Sequence, residues 1–115
     1  MSLWSELVTS EDDSSETDMV SDWNYAEVWE VAAELLPGAE AVCQGECRVP
    51  WSEFDRRADG VARRLLELDL AHQDKVGLYL YNCPEYLESL FATMKAGLVP
   101  VNTNYRYADD ELAYL

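Results

Sequence analysis

Three short segments of this chain combine residue types and spacings that could do chemistry. The first is the pair Cys43 and Cys47, whose thiolates stand four positions apart and could ligate Zn²⁺. The remaining soft ligands, Cys83 and His72, are not paired at the spacing of a zinc site. We therefore predict no metal here, and we expect reduced thiols that are buried or half-buried.

The other two segments lie where helices are predicted to begin. Residues 82–85 (Asn-Cys-Pro-Glu) follow an apolar strand, a place where free backbone N–H groups bind ligands in α/β sheets. The glycines that let a phosphate approach the backbone are missing, so a plain capped turn is favoured. Residues 109–111 (Asp-Asp-Glu) could chelate a cation, but they are more simply the acidic first turn of a helix. These residues predict no catalytic group and no metal ligand, and they leave cofactor-binding residues unknown.

Composition limits the class of protein and its partners. The chain has 115 residues, 49% of them hydrophobic, which suits one soluble domain, but its net charge of −15 is less ordinary. Such an acidic surface repels phosphates, so we predict no nucleic-acid partner. No apolar run approaches the ~20 residues that span a bilayer, and the start lacks the basic and apolar regions of a secretion signal. With an odd number of cysteines, this predicts a cytoplasmic protein.

The N-terminal segment 1–22 differs in composition from the rest. It carries seven acids and no base, and its centre reads Glu-Asp-Asp-Ser-Ser-Glu. It cannot bury enough apolar surface to offset the entropy of ordering, so we predict a disordered acidic tail. The alternative is a short docking helix at residues 3–8, where four apolar side chains would share one face. We expect order to begin at Trp23.

Local patterns predict the first three elements after the tail. Asn24 with Glu27 three positions on forms a capping box for a helix over residues 25–36. A short β-hairpin should follow, with its turn at Gly45. A second helix should be capped by Ser52 and should carry an apolar stripe, formed by Phe54, Ala58, Val61, Ala62, Leu65 and Leu66.

The charged side of this second helix has the spacing of surface ion pairs. Glu53 and Arg57 stand four positions apart, and so do Asp59 and Arg63. We interpret this run of charges as a solvated face and not as a site.

Residues 75–102 predict one right-handed βαβ unit. An apolar strand over 76–81 precedes a helix that begins near Pro84, and Gly97 should supply its left-handed cap. The helix should turn five side chains inward: Tyr86, Leu87, Leu90, Phe91 and Met94. A second strand over 98–102 contains Pro100, which indicates an edge, and a truncated helix should begin at Asp109. Two strands leave edges and an apolar face open, so we expect self-association.

Four blocks of the chain together resemble the adenylate-forming (AMP-binding) enzymes. Residues 94–107 read Met-Lys-Ala-Gly-Leu-Val-Pro-Val-Asn-Thr-Asn-Tyr-Arg-Tyr, which is similar to a core motif of that superfamily. Residues 24–30, 49–58 and 76–88 resemble the blocks that precede it, in the same order and with compatible spacing. The segment 104–115 is closest to the fatty-acid–CoA ligase branch. The resemblance covers residues 24–115, which correspond to only the beginning of a typical member.

The resemblance implies an α/β fold: the N-terminal part of the adenylate-forming enzymes, with residues 23–115 as a partial subdomain. It implies the activity of an acid–CoA ligase that uses ATP, Mg²⁺ and coenzyme A. The family's phosphate loop, its magnesium-binding Glu, its ribose-binding Asp and its lid Lys have no counterpart here, so no catalytic residue transfers. We expect a fragment that is inactive by itself. The alternatives are a small acidic interaction module or one piece of a split synthetase whose partner is the missing remainder.

Two positions depart from the family's pattern or match it loosely. Some relatives place a basic residue near Lys95 against the phosphate of coenzyme A, a match too loose to assign that role to Lys95. Between the second helix and the strand the family has a glycine-rich turn, whereas residues 68–74 contain no glycine. Either relaxed selection on a truncated copy or an extended helix with a different turn would explain this segment.

Overall fold

The computed structural model describes residues 24–115. The predicted tail 1–22 and Trp23 lie outside the described residues. Residues 24–115 fold into a mixed α/β unit with two separate two-stranded sheets. In chain order the elements are α1 (Tyr25–Leu35), β1 (Glu40–Gln44), β2 (Cys47–Pro50), α2 (Trp51–Leu66), β3 (Lys75–Leu78), α3 (Pro84–Lys95), β4 (Val99–Asn102) and α4 (Asp109–Tyr114).

The predicted start of α1 and the predicted hairpin are confirmed. Asn24 Oδ1 accepts from the Glu27 N–H at 3.2 Å, and the Glu27 carboxylate accepts from the Asn24 N–H at 3.4 Å, which completes the capping box. β1 and β2 pair antiparallel, and Gly45 lies in the turn with a φ of 59°. A left-handed residue is what a two-residue hairpin turn requires, and glycine adopts it without steric cost.

The predicted cap of α2 at Ser52 is wrong. β2 runs directly into the helix, and Pro50 occupies the cap position with extended backbone. The N–H of Trp51 donates to the Ala39 carbonyl at 2.9 Å, and that of Ser52 donates to the Pro37 carbonyl at 3.1 Å. The preceding loop therefore satisfies two of the free N–H groups of the helix, and no side-chain cap is needed.

The βαβ unit is present, but its first strand is shorter than predicted. β3 pairs with β4 in parallel, from Lys75 opposite Val99 to Leu78 opposite Asn102. The strand ends at Leu78 and not at position 81, and Tyr79 and Tyr81 are exposed. Within residues 24–115 β4 is the one strand beside β3, and their ladder ends where Leu78 lies opposite Asn102, so the rest of the apolar run has no ladder partner there.

The turn between α2 and β3 uses an unexpected left-handed residue. α2 ends with Glu67 in helical conformation, and the positive φ of 66° falls at Gln73. The Gln73 N–H donates to the Gly97 carbonyl at 2.8 Å, and the Asp74 carboxylate accepts from the Ala71 N–H at 2.8 Å. The glycine-free segment therefore forms a different turn, without extension of the helix.

The core lies where α1, α2 and α3 meet and where the hairpin covers them. Trp29, Phe54 and Phe91 form its centre, with ring centroids 5.1 to 5.6 Å apart. The predicted stripe of α2 is confirmed except at Val61 and Leu66, which face outward. The buried members of the core are Ala26, Val42, Val49, Phe54, Ala58, Ala62, Phe91 and Ala92.

The inward face of α3 is more polar than predicted. Phe91 and Ala92 are fully buried, and so is Thr93, whose hydroxyl donates to the Ser89 carbonyl at 2.7 Å. Glu88 is also buried and accepts from Arg57. Among residues 24–115, no helix has the length and apolar character to cross a membrane.

Alanine substitutions at two glycines should change the stability of this fold in opposite directions. Gly97 caps α3 with a φ of 74°, as predicted, and Gly97→Ala should destabilise the protein by about 1–2 kcal/mol because alanine resists this conformation. Its new methyl group would also lie 3.1 Å from the ring of His72, which is exposed and can move aside. Urea unfolding followed by tryptophan fluorescence measures the change.

Gly60→Ala is the matched control. Gly60 lies inside α2, and a methyl group there meets nothing within 4 Å. This substitution should stabilise the protein by up to about 1 kcal/mol, since alanine favours a helix over glycine. Equal effects of the two substitutions would contradict the assigned turn at Gly97.

Candidate functional site

The carboxyl ends of β3 and β4 open onto a group of aromatic side chains. The rings of Tyr81 and Tyr105 lie 4.8 Å apart, and the guanidinium of Arg106 lies 5.6 Å from the Tyr105 ring. The Tyr79 hydroxyl donates to the carbonyl of Tyr107 at 2.7 Å. These contacts hold the loop after β4 against the loop after β3, at the edge where parallel sheets bind ligands.

The turn at 82–85 lies beside this cluster, against the tip of the hairpin. Gln44 Nε2 donates to the Asn82 carbonyl at 2.8 Å, and Pro84 takes the first position of α3 as predicted. A groove of about 340 Å³ runs between the hairpin and the turn. Its lining contains no charged side chain and no glycine. The lining residues are Val42, Cys43, Gln44, Asn82, Cys83, Pro84, Tyr86 and Leu87.

The cysteines are more exposed than predicted. Cys43 and Cys47 are exposed and Cys83 is half-buried, so the expectation of buried or half-buried thiols is wrong for the first two. Strand alternation explains the exposure of Cys43, because the hairpin turns Val42 and its partner Val49 inward. Cys47 lies on the face of Val49 but next to the turn at the tip of the hairpin, where it is exposed. Within residues 24–115, no group of three or more His, Cys, Asp or Glu side chains is placed to hold a metal ion.

The acidic segment 109–111 forms the first turn of α4, as the simpler interpretation expected. The Glu111 carboxylate accepts from the Ala108 N–H at 3.1 Å. This oxygen caps the helix, which is the usual role of an acid in a first turn.

Among residues 24–115, Lys95 makes the largest number of ion pairs, and the sequence did not predict them. Lys95, at the end of α3, points its ammonium group into the junction of the three long helices. Lys95 Nζ lies 2.6 Å from Asp55 and 2.8 Å from Asp59 on α2, and 3.0 Å from Glu30 on α1. It also lies 4.5 Å from the centre of the Phe91 ring, and the side chain is only 7% exposed. We call these four charged residues the Lys95 cluster.

The ionisation of Lys95 follows from this environment. Burial by itself lowers the pKa of Lys95, but hydrogen bonds to Asp55, Asp59 and Glu30 outweigh burial and raise the pKa to about 12. Lys95 therefore remains charged at neutral pH. Its ammonium group is paired with three carboxylates of the fold itself.

The predicted solvated face of α2 is thus wrong in part. Asp59 pairs with Lys95 and not with Arg63, and Asp55 is half-buried. The predicted pair of Glu53 with Arg57 does form, at 2.8 Å, and Arg57 also reaches Glu88 on α3 at 3.0 Å. A signal for this was available, since Asp55 and Asp59 are four positions apart and border the apolar stripe of the helix on the same side.

A second cluster of charges consists of Glu53, Arg56 and Arg57 on α2 and Glu88 on α3. Hydrogen bonds from Arg56 and Arg57 lower the pKa of Glu53 to about 2. All these charges are paired with one another across α2 and α3. Both clusters therefore join helices, and neither presents a free acid and base to a reactant.

Comparison with known proteins identifies relatives of the same unit. A family model described as AMP-binding enzyme matches residues 29–115. A medium/long-chain-fatty-acid–CoA/3-oxocholest-4-en-26-oate–CoA ligase of Mycobacterium tuberculosis is 34% identical over 92 residues, covering 80% of this chain and 17% of the ligase. A 3-oxocholest-4-en-26-oate–CoA ligase of Rhodococcus rhodochrous has the same identity and coverage. This chain thus spans about one sixth of the length of these relatives.

Solved structures contain the same arrangement of elements. A protein of Rhodopseudomonas palustris assigned as a long-chain-fatty-acid CoA ligase superposes with a TM-score of 0.73 at 28% identity, over 83% of this chain and 24% of that one. The N-terminal domain of FACL13 from Mycobacterium tuberculosis superposes with a TM-score of 0.73 at 25% identity, over 79% of this chain and 23% of that one.

Proposed function

The chain belongs to the family of AMP-binding enzymes, and on that premise we propose that it serves as the N-terminal part of an ATP-dependent acyl-CoA synthetase. Synthetases of this kind activate a carboxylate as an acyl-adenylate and then transfer the acyl group to the thiol of coenzyme A. The observation that carries the proposal is the 34% identity over 92 residues to ligases named for fatty and steroid carboxylic acids. The substrate class proposed for the assembled enzyme is therefore a large apolar carboxylic acid.

Within this enzyme, residues 24–115 act as a scaffold. The groove beside the turn at Asn82 offers a phosphate neither a charged side chain nor a glycine, and Lys95 is held by three carboxylates. These residues do not fit ATP or the phosphates of coenzyme A. We therefore derive no catalytic step from them, and we propose that ATP, Mg²⁺ and coenzyme A bind to other parts of the enzyme.

Two related proposals concern partners and location. Three free cysteines support a reducing compartment, and we place the protein in the cytoplasm. The net charge of −15 disfavours binding to nucleic acid. The second candidate function is an acidic interaction module or one piece of a split synthetase, which is supported by the exposed face of the β3–β4 sheet.

Assays of adenylate formation test the proposed function. The purified chain should show no carboxylate-dependent ATP–pyrophosphate exchange, because positioned contacts to the phosphates supply most of the catalysis in such transfers. A chimera in which this chain replaces the 92 matched residues of the Rhodococcus ligase should exchange pyrophosphate when given 3-oxocholest-4-en-26-oate.

The control is the same ligase with its matched residues deleted and nothing inserted. Exchange by the chimera above this control would support the scaffold role. Exchange by the free chain would contradict its inactivity, and a folded chimera without exchange would favour the interaction module.

A further inference from the structure

Helix α1 is apolar on two opposite sides. Ala26 and Ala33 stand seven positions apart and are buried. Val28 and Leu35 have the same spacing, but they are 41% and 63% exposed. Two positions along a helix correspond to a rotation of about 200°, so Val28 and Leu35 point to the side opposite the buried alanines. We call this side the outer stripe of α1. It consists of Tyr25, Val28, Val31, Ala32 and Leu35.

The outer stripe has the character of a surface that another apolar segment covers. A helix at the protein surface carries its polar residues on the side that faces water. On α1 the acids lie elsewhere, because Glu30 turns toward Lys95 on α3 and Glu27 and Glu34 follow one border of the stripe. A contiguous apolar surface of this kind marks an interaction site.

The N-terminal segment of this chain contains a matching apolar sequence. In residues 3–8, which we call the docking segment, four apolar side chains would share one face of a short helix, with Glu6 on the other face. The other six of the seven acids in residues 1–22 lie between positions 11 and 22. Those acids would be repelled by the acids of α1, so residues 3–8 are the part of the segment 1–22 that can lie on this helix.

The connection to α1 allows this contact. Residues 9–23 lie between the docking segment and the helix cap, and 15 extended residues span about 50 Å. Since α1 has 11 residues and is about 16 Å long, the docking segment can reach every position of the outer stripe. The tether also places the docking segment at an effective concentration in the mM range. A contact too weak to form between separate molecules can therefore form within one chain.

The capping box of α1 gives the entering chain a direction. Asn24 is the cap, so Trp23 precedes it and Val28 is the fourth residue of the helix. Apolar residues at these two positions often pack on each other as a hydrophobic staple, which fixes the angle at which the chain enters. This staple would turn the chain before α1 toward the outer stripe.

We propose that the docking segment packs as a short helix on the outer stripe of α1. A helix of this length is unstable in isolation, so the apolar contact with α1 is what would order it. The docking alternative then holds for residues 3–8, and the prediction of disorder is restricted to the acidic residues that follow them. A second copy of this chain is the weaker occupant, because two molecules with a charge of −15 repel each other.

The first test measures amide hydrogen exchange of the whole chain by NMR. After correction for intrinsic rates, amides of residues 3–8 should exchange about tenfold more slowly than those of residues 9–14. Leu35→Glu should abolish this difference, because it places a carboxylate in the apolar contact. Leu66→Glu is the matched control, since Leu66 is 65% exposed and, like Leu35, is the last residue of its helix. Circular dichroism should show both variants folded as the parent.

The second test measures the accessibility of the outer stripe. In a chain whose three cysteines are replaced by serine, Leu35→Cys should react with a maleimide about fivefold faster once residues 3–8 are deleted, because the docking segment shields this position. The same deletion should leave the labelling rate of Leu66→Cys unchanged. Equal effects of the deletion at the two positions would overturn the docking contact.

Dilution separates the two occupants of the outer stripe. Protection of residues 3–8 should stay the same after a tenfold dilution, since the contact forms within one chain. Protection that is lost on dilution would assign the outer stripe to a second copy and overturn the contact within one chain. Equal exchange throughout residues 3–14, or equal effects of the two glutamate variants, would also overturn it.

Discussion

Phe91→Ala is expected to lower the free energy of unfolding by about 3–5 kcal/mol. Phe91 is fully buried, and its ring packs against Trp29 at 5.2 Å and Phe54 at 5.1 Å. Truncation removes these contacts and leaves a cavity between three helices. The helices cannot move together far enough to fill this cavity. It also removes the ring beneath the ammonium of Lys95.

The measurement is urea unfolding, followed both by tryptophan fluorescence and by far-UV circular dichroism. Trp29 and Trp51 lie in the same aromatic cluster, 6.4 Å apart, so fluorescence reports on this part of the core. Tyr114→Ala is the control, since Tyr114 is 91% exposed, and its effect should stay within about 0.5 kcal/mol. Equal midpoints for the two variants would show that the helices do not pack around Phe91.

Lys95→Met should be the next most damaging change, at about 3 kcal/mol, because removing one partner of a buried ion pair leaves uncompensated charge. Three carboxylates, on Glu30, Asp55 and Asp59, would then face one another without a cation. These acids keep some contact with water, which places the expected loss at the lower end of the range. Lys75→Met is the matched control, because Lys75 is exposed and makes no ion pair among the described residues.

The pH dependence of stability provides an independent test of this cluster. The pKa of Lys95 is raised in the folded protein to about 12, above the ~10.4 of an unfolded lysine. A raised pKa stabilises the fold fully below the unfolded value, and this contribution is lost as pH rises toward 12. The parent should therefore lose stability between about pH 10 and 12, and Lys95→Met should lose less over the same window.

Removal of two of the three carboxylates should rescue the variant. Asp55→Asn with Asp59→Asn in the Lys95→Met background should recover stability at neutral pH, because two of the three facing negative charges are then absent. If this change does not restore the variant, its defect comes from lost packing and not from charge.

The sequence by itself determined the elements whose causes are local. The capping box at Asn24, the hairpin turn at Gly45 and the left-handed cap at Gly97 each depend on residues within a few positions. Backbone geometry and short-range hydrogen bonds decide such features, so their residue types predict them. The blocks that resemble adenylate-forming enzymes likewise lie in the sequence as they stand, and the family assignment is confirmed.

The predictions that were wrong concern features decided by neighbours distant in the chain. Ser52 fits a helix cap by its type, but the loop at 37–39 supplies the partners of the first turn of α2. The apolar run after Val76 favours a long buried strand, but the strand ends at Leu78, where its ladder with β4 ends. Cys43 has a type that is often buried, but the pleat of the hairpin turns it outward.

The Lys95 cluster shows most clearly what only the tertiary structure decided. Lys95 pairs with Glu30 across 65 positions of sequence, and this pair forms only because α1 and α3 pack side by side. The spacing of Asp55 and Asp59 predicts that they share a face of α2, but not which cation will lie opposite them. Which helices meet, and at which turn, depends on the aromatic packing around Phe91, and no local pattern encodes that packing.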